Sequence, residues 1–208
     1  MSDRDELPRG WRLAPLSGLC EIQPAGTTLK PLASFEPGAV PLIRPSDLRE
    51  HRVTPSAIRY VDARRAGGLA RLTTRAGDIL VTRTGTVGRI ALITEAEAGW
   101  VYNTHLLCLR PADAVSAPYL AGFLAGPGAQ TWINGHASGS AIRSITSATL
   151  RGLPVTLPPL GEQRRIGTVL EALDEKIRAH EEIARTTGLL RESLASLLMS
   201  GKVPVPPE

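Results

Sequence analysis

From Gly161 to Ser200 the chain runs without a proline, and glycine occurs only at 161, 167 and 188. Apolar residues recur there in threes and fours: Ile166, Leu170, Leu173 and Ile177, then Ile183, Leu190, Leu194 and Leu197. Glu, Arg and Lys fill the intervals, which is the pattern of a helix with one narrow apolar stripe. Pro158-Pro159 holds the preceding residue extended, and Glu162 falls in the first turn, where the helix dipole favours an acid. A helix of about 40 residues would be roughly 60 Å long, too long to lie across one ordinary domain. Its three-and-four stripe is what a coiled-coil seam requires. The stripe is irregular, since His180 and Thr187 take seam positions if the first register continues. The phase shift between Leu173 and Leu190 predicts either a stammer or a break into two helices near Arg185–Gly188.

Most helix stability in water comes from burying the apolar face. No second long helical pattern exists elsewhere in the sequence, so the mate is expected from another chain. The alternative is that the arm packs on its own domain. Pairs such as Glu171/Lys176, Asp174/Arg178 and Glu181/Arg185 are ordinary chemistry of a solvated face.

Residues 1–157 read differently. Glycine and proline recur, and short apolar runs (Val40-Pro41-Leu42-Ile43, Ile79-Leu80-Val81, Ile90-Ala91-Leu92-Ile93, Leu106-Leu107-Cys108-Leu109) are bounded by turn residues, so they read as strands. Ser116-Ala117-Pro118 opens one helix, with Tyr119, Leu120, Phe123 and Leu124 as its apolar face. Gly126-Pro127-Gly128 is expected to stop it, with a second short helix around Ala129–Asn134. The predicted fold class is α/β of the α+β type. It comprises a β-rich mixed domain over 1–157, a helical arm over 158–200 that pairs as an antiparallel coiled coil, and a tail over 201–208.

Several classes are excluded. No run approaches the 18 or so apolar residues of a membrane helix. The charged opening MSDRDELPRGW lacks the apolar core of a secretory signal, so a cytoplasmic protein is expected. Cys20 and Cys108 sit in no metal-ligand spacing, and four histidines are scattered at 51, 105, 136 and 180. The net charge of +4 comes from 21 Arg and 3 Lys against 20 acids. Within 43–92 there are 10 Arg against Asp47, Glu50, Asp62 and Asp78. A basic patch on the globular part beside a balanced arm fits a nucleic-acid reader with a protein-contacting extension, although an Arg-rich, Lys-poor composition also follows from a GC-rich genome.

Three stretches, taken together, resemble the specificity subunits of Type I restriction–modification systems. Leu157-Pro158-Pro159-Leu160-Gly161-Glu162-Gln163 resembles that family's entry into its long helix. Gly77-Asp78-Ile79-Leu80-Val81-Thr82-Arg83-Thr84-Gly85-Thr86-Val87-Gly88-Arg89 is similar to its strand–loop–strand segment, and Ser138-Gly139-Ser140-Ala141-Ile142-Arg143 to a short segment before the helix. Leu7-Pro8-Arg9-Gly10-Trp11 and Leu198-Met199-Ser200-Gly201-Lys202-Val203 match the usual opening and ending. Family members commonly carry two recognition domains and two long helices. This chain resembles half of that, and a two-fold pair would restore the whole.

The resemblance implies a non-catalytic subunit that reads double-stranded DNA and directs an adenine methyltransferase, with or without a restriction translocase. S-adenosylmethionine would belong to that methyltransferase, and no cofactor to this chain. The motifs agree: there is no methyl-donor loop with a [DN]PP[YFW] segment, and no GxxxxGK[ST] phosphate loop. A homodimer is expected, with pairing to another half-subunit left open. Candidate contacts to DNA are Arg83, Thr84, Gly85, Thr86 and Arg89 in one loop and Ser138, Ser140 and Arg143 in another, because guanidinium, hydroxyl and exposed backbone suit phosphates and base edges. Each loop is equally readable as a structural turn. Asn103 and His105 are further base-reading candidates, and Arg59, Arg64 and Arg65 candidate phosphate contacts. The other class of function open to the chain is a protein-interaction scaffold without sequence preference.

Overall fold

The computed structural model describes residues 7–24, 31–32, 38–62 and 73–203. In chain order the strands are β1 (Arg12–Pro15), β2 (Cys20–Pro24), β3 (Ala39–Ile43), β4 (Leu48–Arg49), β5 (Arg52–Val53), β6 (Arg59–Asp62), β7 (Ile79–Thr82), β8 (Ile90–Leu92), β9 (Val101–Tyr102), β10 (Leu106–Pro111) and β11 (Pro154–Leu157). The helices are α1 (Ala117–Ala125), α2 (Pro127–His136), α3 (Ser147–Arg151) and α4 (Leu160–Met199).

Leu106-Leu107-Cys108-Leu109 is apolar without interruption, as a strand covered on both faces must be. β10 accordingly lies between β2 and β7 in the sheet β2-β10-β7-β8, antiparallel throughout. Alternate side chains divide between two cores. Leu107 and Leu109 join Ile79, Val81 and Ile22 under Leu120, Leu124 and Ile133 of α1 and α2. Leu106 and Cys108 join Leu80 on the other face, with Ile43, Leu48 and Tyr102. A smaller sheet, β6-β3-β9, pairs β3 antiparallel with β6 and parallel with β9. Asp78, 1% exposed, receives two hydrogen bonds from Arg110, at 2.8 and 2.7 Å, which tie the turn before β7 to the end of β10.

The entry to α4 is a knot of specific contacts. β1 pairs antiparallel with β11, Arg12 opposite Leu157, which brings Trp11 to the helix start. The Trp11 indole donates to Glu162 at 3.2 Å. Gln163 is 2% exposed. Its Nε2 donates to the Pro158 carbonyl at 2.9 Å, and its Oε1 accepts from the backbone N–H of Ser116 at 3.0 Å. Ser116 is the N-cap of α1, and its own hydroxyl makes no capping bond, so Gln163 supplies one partner that a helix start lacks. One turn on, Gly167 lets α4 approach α1 closely: a Cβ there would stand 2.9 Å from Pro118 Cβ and 3.1 Å from the Tyr119 nitrogen.

The compact units divide at Leu170, residues 1–170 forming one and 171–208 the other. The strand-to-helix change at 157/158 therefore does not coincide with the end of the head, because the first turns of α4 are buried in it. Of the stammer and the break, the break is ruled out, and one boundary is corrected. α4 is a single helix with no break at Arg185–Gly188. Gly126-Pro127-Gly128 ends α1 but also begins α2, since Pro127 takes the first helical position, where its missing N–H costs nothing. The expected strands and the helix opened at Ser116 stand as read.

Truncating Gln163 to Ala removes two buried hydrogen bonds and leaves Ser116 N–H and Pro158 C=O without these partners. We expect a loss of about 2–4 kcal/mol, measured as a lower urea midpoint at unchanged slope. Arg110→Ala removes the guanidinium bonded to both oxygens of the buried Asp78 carboxylate, which keeps the Arg75 N–H at 2.8 Å, and should cost about 3 kcal/mol in the same assay.

Candidate nucleic-acid interface

The loop from Thr82 to Arg89 is built on one buried hydroxyl. Thr82 Oγ1 donates to the Thr86 carbonyl and accepts from the Arg89 N–H at 2.9 Å. The Thr82 carbonyl accepts from Gly88 at 2.9 Å. Gly88 has φ +91, and a Cβ on it would meet Gln130 Oε1 at 2.8 Å, so only glycine fits. The tip, Gly85 and Thr86, is exposed.

The second predicted segment lies beside the first. Thr84 bridges Ser144, and Ser144 bridges Ser138. Gly85 N–H donates to the Arg143 carbonyl and Ile145 N–H to the Arg83 carbonyl, both at 2.9 Å. Ser138 and Ser144 exchange backbone bonds of 2.9 and 2.7 Å, closing the exposed loop 139–143 at its neck. Arg143 reaches the Asn134 carbonyl at the end of α2 and Asn134 Oδ1 at 3.4 Å, where the helix dipole favours a cation.

Arg83 stands at the junction. Its N–H donates to the His105 carbonyl at 2.9 Å and its carbonyl accepts from Ile145, so its backbone is fixed from both sides. Its side-chain Nε is buried and has no hydrogen-bond partner among the described residues. An unpaired buried donor is costly, and here it belongs to a cation on a fixed backbone. Ser138, Ser140, Thr86 and Arg89 are exposed around it, and Thr84 is half-buried. Asn103 Oδ1 accepts from the His105 N–H at 2.9 Å, forming a turn at the start of β10. Arg59 is exposed on β6, while Arg64 and Arg65 lie outside the described residues.

Sequence reasoning missed the hairpin β4–β5. Its two-residue turn carries Glu50 and His51 at φ +50 and +61, without the Asn-Gly or Asp-Gly signature of such turns. Arg49 and Arg52 face each other directly across it, a like-charge pairing that weakens a ribbon. Buried Leu48, partly buried Val53 and the bond from Leu92 N–H to the His51 carbonyl (2.9 Å) hold it against β8. An open cleft of about 570 Å³ separates it from Arg89 and Gln130. The local Arg excess over 43–92 was the available signal, but it named no residue.

The eight seam residues divide. Ile166 packs against the core of the head and Leu170 lies against Gly122 of α1. Leu173, Ile177, Ile183, Leu190, Leu194 and Leu197 are exposed. The arm's outer face carries Glu182–Arg185 at 2.5 Å and Glu175–Arg178 at 3.6 Å. Burial pushes the Cys20 thiol up to about 12; burial, then the charge of Asp78, pushes Cys108 up as well. Neither is a poised nucleophile. No helix among the described residues is long and apolar enough to cross a membrane.

Comparison with known proteins places this geometry. Residues 8–186 match the family described as Type I restriction modification DNA specificity domain, and the chain belongs to that family. Two curated relatives from Methanocaldococcus jannaschii are similar to it. The type I restriction enzyme MjaX specificity subunit is 25% identical over 177 residues, covering 83% of this chain and 41% of the relative. The MjaIX specificity subunit is 22% identical over 186 residues, covering 85% and 40%. The chain thus spans about two-fifths of the length of these relatives, which are named specificity subunits and not methylases. Among solved structures, the S subunit from M. genitalium has a TM-score of 0.64 at 17% identity over 96% of this chain and 48% of that one. The HsdS subunit from Thermoanaerobacter tengcongensis has a TM-score of 0.58 at 24% identity, over 85% and 40%. A chain from a study of complex assembly in the type I R-M system reaches 0.65 at 24%, over 92% and 45%. At these identities the likeness concerns the fold: a sheet-rich domain followed by a long helix.

With both cysteines buried and their protons held more tightly than in a free thiol, thiol reagents at pH 8 should leave the native chain unmodified. Mass spectrometry should record two labels only after denaturation.

Proposed function

We propose that the chain is the DNA-reading half of a bipartite specificity subunit, working without catalysis of its own. The observation that carries this reading is the pairing of two hydroxyl-bearing loops at Arg83, whose backbone is held from both sides and whose side chain is half-buried. A phosphate or a guanine edge is the acceptor that guanidinium and hydroxyl groups of this kind suit. The exposed Thr86, Arg89, Ser138, Ser140 and Arg143 would surround the contact, and Arg49 of the hairpin would extend it. Asn103 supports this surface through its turn.

The exposed stripe of the arm supports homodimerisation. At 100° per residue the second set of apolar positions lies roughly 120° round the helix from the first. Two arms side by side in opposite directions would set the first stripe of each against the second stripe of its mate, under a closed two-fold. Both heads would then read the same short sequence in opposite orientations, giving an interrupted palindrome with half-sites about 34 Å or its multiples apart. The partner is an adenine methyltransferase carrying S-adenosylmethionine, with or without a restriction translocase, acting in the cytoplasm.

Arg83→Ala should weaken binding to the preferred duplex roughly 10- to 100-fold. Fluorescence anisotropy over several salt concentrations measures this. A chain that binds all duplexes alike, and loses them together as salt rises, would be a scaffold with a basic surface. Replacing Leu173, Ile177 and Leu190 by Ser should halve the mass in light scattering, and an unchanged mass would refute the seam. Mapping methylated adenines in cells with and without the gene tests the palindrome.

A further inference from the structure

Ile142 is 65% exposed, at the outer part of the loop 139–143, where every other residue is also exposed. A β-branched apolar side chain in that position gains nothing from the fold, and Ile142 belongs to none of the core clusters. Its backbone, in contrast, is set firmly. The loop is pinched shut by the paired bonds of Ser138 and Ser144, and Arg143 is held by the Asn134 carbonyl and side chain. Gly139 has φ +111, and a Cβ there would collide with the Ile142 carbonyl. The loop is therefore a stiff mount for one greasy side chain.

That mount is bonded directly to the Arg83 loop, through Gly85 N–H and the Arg143 carbonyl. Ile142 follows Ala141 and precedes Arg143, in a loop whose exposed polar residues are Ser138, Ser140 and Arg143, so it is the one large apolar side chain there. A DNA groove offers few apolar features to such a side chain. The most accessible is the C5-methyl group of thymine, which projects into the major groove and marks a T·A pair.

We infer that Ile142 reads a thymine methyl group, making it a specificity-determining residue within the half-site. This rests on the DNA-reading function proposed above and adds an identity at one position. Burial of one methyl group corresponds to about fourfold in affinity, enough to rank sequences without dominating binding.

Removing that methyl from the DNA tests it. The full chain selects its preferred duplex from a random library, and affinities are then measured for duplexes with each thymine of the half-site replaced by deoxyuridine. For the wild type, one replacement should weaken binding about fourfold and the others little. Ile142→Ala should bind the thymine and deoxyuridine duplexes within twofold of each other, whereas Ile142→Val should retain the difference. Equal affinity of the wild type for every deoxyuridine duplex overturns the inference while leaving the DNA-reading function intact. So does an Ile142→Ala variant that still discriminates. If Ile142→Ala weakens both duplexes alike and reduces DNA bending measured by energy transfer, the side chain is a base-step wedge and the methyl reading is wrong. If it binds all duplexes as the wild type does but no longer co-purifies with the methyltransferase, the side chain faces a protein. Failure to select any preferred sequence would overturn both this inference and the function beneath it.

Discussion

The buried amide of Gln163 joins the junction of β11 and α4 to the start of α1, 47 residues earlier in the chain. It takes the Ser116 N–H at the start of α1 and donates to the Pro158 carbonyl at the end of the strand before α4, from its own place on α4. A glutamine can do this because its side chain offers a donor and an acceptor at one end. Glutamate would lose the donor and leucine would lose both. The surrounding packing depends on the same close approach, with Gly167 against Pro118 and Leu170 against Gly122. The run Pro158–Gln163 is thus a joint, and its unusual composition reflects what each position must touch there.

Much of this was legible in the sequence because it depends on patterns with a period. The long helix could be read from its proline-free stripe, and β10 from four apolar residues that had to be covered on both sides. What could not be read was set by contacts between distant residues. No local signal distinguishes Ile166 and Leu170, which serve the head, from Leu173 and Ile177 one or two turns on, because all four satisfy the same spacing. The β4–β5 turn was missed for the opposite reason. Glu50 and His51 adopt left-handed conformations that ordinarily call for asparagine or glycine, so the sequence carries no turn signature.

The candidate site shows the same division. Residue chemistry picked out the Arg83 and Arg143 loops separately, on hydroxyls, guanidinium groups and glycines. Their adjacency comes from tertiary pairing of Thr84 and Ser138 with Ser144, which no spacing reveals. Asn103 has the right chemistry to read a base, and its side chain is used to make a turn. A short polar side chain beside a strand more often serves the backbone than a ligand.

The pairing of β1 with β11 has an evolutionary corollary. The strand that enters the head and the strand that leaves it run antiparallel as immediate neighbours, so everything between Arg12 and Leu157 is cut in and out at one place. Recombination at that junction would move the intervening segment as one piece, and the incoming segment would have to bring its own α1 for Gln163, Gly167 and Leu170 to rest on. An architecture closed in this way lets a head be replaced whole, provided the joint with the helix is kept.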